Sequence, residues 1–134
     1  MGLGILNEAV IDEVNILNAT KLAMSQAVAN LIYAYRTRIN KNKVMVLVDG
    51  DICLDLPYRQ KSIIRGDSKS MSIASASIVA KVMRDRIMSI YDCVYPEYKF
   101  IQHKGYGTSG HFRAIKEHGP CPIHRRSFNL CKVA

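Results

Sequence analysis

Apolar residues at Val10, Val14, Leu17, Met24, Val28 and Leu31 recur three, four or seven positions apart, the period of a helix with one buried face. Asn15 and Asn18 interrupt its early part, so a continuous rod over residues 8–35 and a short helix followed by a longer one from about Asn15 fit equally well. A basic turn, 36–43, leads into Val44-Met45-Val46-Leu47-Val48, which Asp49-Gly50 ends. An uninterrupted apolar run between turn signals predicts a strand buried on both faces, inside a sheet flanked by helices. Ser62-Ile63-Ile64-Arg65 predicts a second short strand before Gly66-Asp67. From Ser68 to about Tyr91 the chain reads as a second long helix. Ser72, Ala74, Ser75, Ala76, Ser77 and Ala80 would let another backbone come close, so this helix is expected to be buried. Tyr95-Pro96 breaks it, and residues 100–110, FIQHKGYGTSG, read as a glycine-rich loop. Thr108 or Ser109 caps a last short helix through His118, closed by Gly119 and Pro120.

Two strands that each deliver an aspartate at the carboxyl end change this picture from architecture to chemistry. In open α/β sheets ligands gather at that end, because the loops splay apart there. If the strands are parallel neighbours, Asp49 and Asp67 converge, and converging carboxylates repel unless protonated or bridged by a cation. Oxygen-only ligation suits magnesium or manganese. The plainer reading of Asp67 is a helix cap. Asp85 reads as an ion-pair partner of Lys81 one turn away rather than a third ligand. Asp51 and Asp55 read as turn formers, and Glu8, Asp12 and Glu13 as charges on a solvated helix face.

A formal charge of +8 favours a polyanionic partner such as nucleic acid. Lys104 and Tyr106, between glycines, could pair with a phosphate and stack on a base; the alternative is a tyrosine folded back over the core. Arg125 and Arg126 form either a phosphate-facing patch or a solvated terminus. Cys53, Cys93, Cys121 and Cys131 are irregularly spaced with no Cys-x-x-Cys pair, so disulfides are not expected. A zinc site from His118, Cys121, His124 and Cys131 lacks the usual paired knuckles. No apolar run approaches the length of a membrane span, and the chain reads as one cytoplasmic domain over 1–134 with no internal repeat.

The stretches IDEVNILNATKLAM, VLVDG, GDSKSMSIASASIVAKVMRDR, YPEYKF, HKGYGTSGH and HRRSF, in that order, resemble the bacterial ribonuclease HII family along most of the chain. The resemblance implies an α/β ribonuclease H-like fold. It also implies cleavage of the RNA strand in RNA–DNA hybrids, single embedded ribonucleotides included, with magnesium or manganese. On the matching motifs, Asp49 is a metal ligand, Asp67 completes the active site, and Tyr106 packs against the sugar at the RNA-to-DNA junction.

The family's opening Asp-Glu-Ala-Gly-Arg-Gly motif has no match here. The expectation is therefore a partial fold, two parallel strands plus flanking helices with the first three strands missing. The full-length family is expected to be monomeric, while the apolar strand edge left open here invites association with another chain. Two-metal hydrolysis holds its cations roughly 4 Å apart, which two aspartates do poorly. The chain alone is expected to be impaired in hydrolysis; the alternative is a non-catalytic, basic nucleic-acid-binding remnant.

Overall fold

The computed structural model describes residues 1–128. Helix α1 (Glu8–Ala34) opens on Asn7, whose side chain accepts from the Val10 N–H, and kinks at Asn15, which has a φ of 67°. Asn15 Oδ1 accepts from Asn18 N at 3.1 Å, so the kink is a second helix start inside the first. Of the two forms the periodicity left open, the structure takes the broken one. Along the apolar stripe Val10, Val14, Met24 and Val28 are half-buried. Ala19 and Ile32 are the buried residues of α1, while Leu17 and Leu31 are exposed. The extended segment before the helix lies against its small residues: a Cβ on Gly4 would sit 1.8 Å from the Ala23 carbonyl oxygen. Asn30 Nδ2 ties that segment down by donating to Leu3 O at 2.8 Å.

Strands β1 (Met45–Asp49) and β2 (Arg59–Ile63) pair in parallel, with Asp49 opposite Ile63. The α/β class and the parallel pair agree with the sequence pattern, but two details differ. β2 begins earlier than expected and ends before Ile64. Two of its polar residues are satisfied from the 50–58 connection: Gln60 accepts from Leu54 N at Oε1 (2.9 Å) and donates from Nε2 to Leu54 O (2.7 Å), and Ser62 Oγ donates to Ile52 O. Arg65, left-handed at a φ of 55°, then turns the chain out of the ladder. β1 is also not buried on both faces: Val48 is 3 % exposed, but Met45 and Leu47, on the opposite face, are 47 % and 37 % exposed. Among the described residues the sheet has two strands, so β1 has a strand partner on one edge only.

Helix α2 (Met71–Val94) starts three residues later than Ser68 and runs past Tyr91. Only Ile73 on it is buried, and Ser75, Ala76 and Ser77 are exposed, against the expectation for so small-sided a helix. No described element packs closely on that face. A 3-10 turn, Pro96–Tyr98, follows, then a single helical turn α3 (Phe100–His103) where a loop was expected, then α4 (Ser109–His118). α4 is capped by Thr108 and ended by Gly119 with a φ of 75°, as its sequence predicts. The core lies at this end, where Tyr98, Phe100, Ala114 and Ile115 are buried together against Met88, Tyr91 and Tyr95. Among the described residues no helix is long and apolar enough to cross a membrane.

Candidate metal and nucleic-acid site

β1 places Asp49 at its carboxyl end, and the ladder continues one bond further, Gly50 N donating to Ile63 O at 3.0 Å. Asp49 Oδ1 accepts from Gly66 N at 2.7 Å, which ties the end of β1 to the turn after β2. Asp67 is the next residue of that turn, and its Oδ1 accepts from Ser68 N at 2.9 Å. The turn is pinned on itself: Ser70 N donates to Gly66 O at 2.8 Å, Ser68 Oγ to Arg65 O at 2.9 Å and Lys69 Nζ to Ile64 O at 2.9 Å. The left-handed Arg65 is strain held in place by these bonds, which is where strain gathers when a neighbouring side chain must be aimed. Asp67 thus caps its own turn rather than α2. Among the described residues, the second oxygen of each carboxylate makes no hydrogen bond.

Tyr106 is 60 % exposed, standing out from the loop between α3 and α4 rather than folding over the core. The Arg84 guanidinium from α2 lies over its ring at 4.3 Å from the centroid. Lys104 ends α3 in a left-handed conformation with a φ of 50°. Arg84 is between three and four turns from the start of α2, roughly 20 Å along its axis. The carboxylate turn and Tyr106 are therefore two stations joined by one helix. Lys81 Nζ meets Asp85 Oδ2 at 3.7 Å, the ion pair expected from their spacing.

The tail is where the sequence reading of a residue fails most plainly. Asp12, read as a solvated charge, accepts from Arg126 N at 2.7 Å, from Ser127 N at 3.0 Å and from the Ser127 hydroxyl. Ser127 holds the Asp12 carboxyl below the usual carboxylate range, with the Arg126 bond and the Arg125 charge adding to this. Because the folded value is the lower one, the clasp contributes fully above the ordinary carboxylate range and is lost as the pH falls through the folded value. Asp12→Ala should speed hydrogen exchange at the amides of residues 126 and 127 at neutral pH. The unaltered chain should match it only in acid; equal protection in both at neutral pH would show that the clasp does not hold the tail. Arg125 lies over the Phe128 ring at 3.7 Å, which orients its guanidinium, while Arg126 is tied to Asp12 through its backbone N–H.

Three buried histidines pack around Phe100, a cluster the sequence spacing did not reveal. His111 Nε2 meets His124 Nε2 at 3.0 Å, His124 Nδ1 accepts from Cys121 N at 3.0 Å, and His103 stacks on His111 at 4.3 Å. Burial lowers the pKa of both His111 and His124. Both ring nitrogens of His124 are thus engaged within the protein, and His118 faces Glu117 at 3.9 Å. Cys131 of the considered zinc set lies outside the described residues, and among those described no three His, Cys, Asp or Glu side chains gather to hold a metal.

The family model of ribonuclease HII matches residues 5–131. The chain belongs to the ribonuclease HII family. It is 50 % identical over 127 residues to the ribonuclease HII of Caldanaerobacter subterraneus subsp. tengcongensis, covering 95 % of this chain and 49 % of that protein. It is 51 % identical over 128 residues to that of Acetivibrio thermocellus, covering 96 % and 47 %. With the Geobacter metallireducens protein the identity is 49 % over 132 residues, 98 % of this chain and 58 % of that one. The chain spans about half the length of these ribonuclease HII relatives.

Ribonuclease HII enzymes depend on a divalent cation. The carboxylates of Asp49 and Asp67 are hard oxygen donors, each with one oxygen oriented by a backbone N–H and one outside that bond. That donor set fits one magnesium- or manganese-like ion, which is commonly bound by one or two carboxylates with water and substrate phosphate completing the shell. It offers no set of protein ligands for a second.

Proposed function

We propose that this chain acts on RNA–DNA hybrids, single embedded ribonucleotides included, as part of a ribonuclease HII endonuclease. By itself it grips the hybrid but hydrolyses its RNA strand little or not at all. The observation that carries this is the 2.7 Å bond from Gly66 N to Asp49 Oδ1, which brings the aspartate of VLVDG to the turn that bears the aspartate of the GDSKS block. Asp49 and Asp67 would hold one divalent ion, magnesium or manganese, supplying positive charge where a phosphate comes to lie. Lys104, Arg125 and Arg126 would meet the backbone phosphates, and Tyr106 would stack on the strand.

The impairment follows from the same donor set. In-line hydrolysis with two metals needs both the attacking and the leaving oxygen clamped, and two carboxylates supply half of such a clamp. Purified chain incubated with manganese and a duplex carrying one ribonucleotide should bind it with a steep salt dependence and leave it essentially uncut. Turnover that disappears in Asp49→Asn would show that the chain is catalytically sufficient. No binding even at low salt would remove the hybrid reading altogether.

A further inference from the structure

Tyr106 is held at both of its ends. Its amide donates to His103 O at 2.8 Å, and its carbonyl accepts from Thr108 N at 2.8 Å while facing His111 Nδ1 at 3.0 Å. Its ring has the Arg84 guanidinium on it at 4.3 Å. The loop lies against α2 here, since a Cβ on Gly105 would meet Met88 Cε at 3.4 Å and Arg84 Nη2 at 4.0 Å. Lys104 and Gly105 both take positive φ, 50° and 78°, to make that approach.

The hydrogen bonds behind the carbonyl set each other's direction. Cys121 N donates to His124 Nδ1 at 3.0 Å, so a neutral His124 carries its proton on Nε2 and gives it to His111 Nε2 at 3.0 Å. His111 then carries its own proton on Nδ1, aimed at Tyr106 O. His103 completes the surroundings, its Nδ1 accepting from Gly105 N at 3.2 Å and its Nε2 donating to Tyr98 O at 2.8 Å. Three buried imidazoles and a stacked guanidinium are far more than an exposed ring needs for stability, because an exposed ring gains little by being fixed. They are what a binding surface needs if it is to be ordered before its ligand arrives.

We propose that Arg84 and His111, the latter oriented by His124, are positioning residues that hold Tyr106 as a fixed stacking surface for the hybrid. This rests on the reading of Tyr106 as a nucleic-acid contact, and double-mutant cycles on hybrid affinity separate the two claims. Tyr106→Ala should weaken binding about tenfold. Arg84→Met should weaken it about threefold or more in the otherwise unaltered chain and less than about twofold when Tyr106→Ala is already present. Additive losses would mean that Arg84 meets phosphate on its own account and overturn the proposal. No loss from Tyr106→Ala overturns the reading beneath it instead.

A second measurement needs no nucleic acid. The chain contains no tryptophan, so Tyr106→Trp installs a single fluorophore at the station in question. Its anisotropy should fall with Arg84→Met or with His111→Ala. It should recover with His111→Asn, whose amide N–H takes the place of Nδ1–H at the Tyr106 carbonyl. Anisotropy indifferent to all three overturns the clamp.

Discussion

Phe100→Ala is expected to melt the carboxyl-terminal half of the molecule. Phe100 is 2 % exposed, and its ring centroid lies 5.4 Å from that of Tyr98, 5.9 Å from His103, 5.6 Å from His111 and 5.7 Å from His124. Truncating a buried phenylalanine costs about 3–5 kcal/mol, transfer and cavity terms together. A domain of this size is stable by only about 5–15 kcal/mol in total. Here the loss is not confined to area, because the cavity would open beside a hydrogen bond between two buried imidazoles. Water admitted there would compete for that bond. In the unaltered chain burial holds His111 and His124 below the ordinary histidine range, so both withdraw stability as the pH drops below that range. Thermal unfolding followed by circular dichroism should show a Tm lower by on the order of 10–20 °C. A shift of only a few degrees would mean that Phe100 is not the centre of this core.

Gly66→Val should detach Asp49 from the turn that carries Asp67. A Cβ at residue 66 would come 2.5 Å from Ile73 Cδ1 and 3.2 Å from Asp49 Oδ1. Ile73 is itself 5 % exposed, so its methyl has little room to retreat. Forcing a branched side chain into such a contact costs typically about 1–3 kcal/mol, and the cheapest relief is to push the carboxylate away and stretch the bond from Gly66 N. In the unaltered chain, manganese should broaden the amide resonances of residues 49 and 67 together, since one paramagnetic ion would lie beside both. In Gly66→Val the paired broadening should be lost even where the protein stays folded. Broadening that survives the substitution intact would show that this bond does not place the ion.

The elements and their chemistry were legible in different degrees. Local patterns carried β1, α2 and α4: an apolar run ended by Asp-Gly, a long stretch without breakers, and a hydroxyl cap matched to a terminal glycine. The parallel convergence of Asp49 and the Gly66–Asp67 turn was legible too, because a strand's end and the turn after its neighbour are both marked in the sequence. The expectation of burial failed at Met45, Leu47 and Ser75 through Ser77. Apolar or small character says that a face can be covered, whereas coverage depends on another element lying there. The early start of β2 was hidden because Arg59, Gln60 and Lys61 look like loop until the Leu54 backbone is seen to satisfy Gln60.

What the sequence by itself determined is the two long helices, the parallel strand pair and the last helix, the family, and the placing of a carboxylate at each end of a short strand-to-turn path. These depend on spacings of a few residues and on blocks of motif in fixed order, both of which survive in the bare string. Only the tertiary structure decided that Asp12 grips the backbone of residues more than a hundred positions away, with Ser127 N to Asp12 Oδ1 spanning a separation of 115. It alone decided, too, that His111 and His124 share a hydrogen bond behind Tyr106 and that Arg84 lies on that ring. Such contacts are made by elements that meet only after the chain has folded, and a side chain's partner across that distance leaves no period or cap to read.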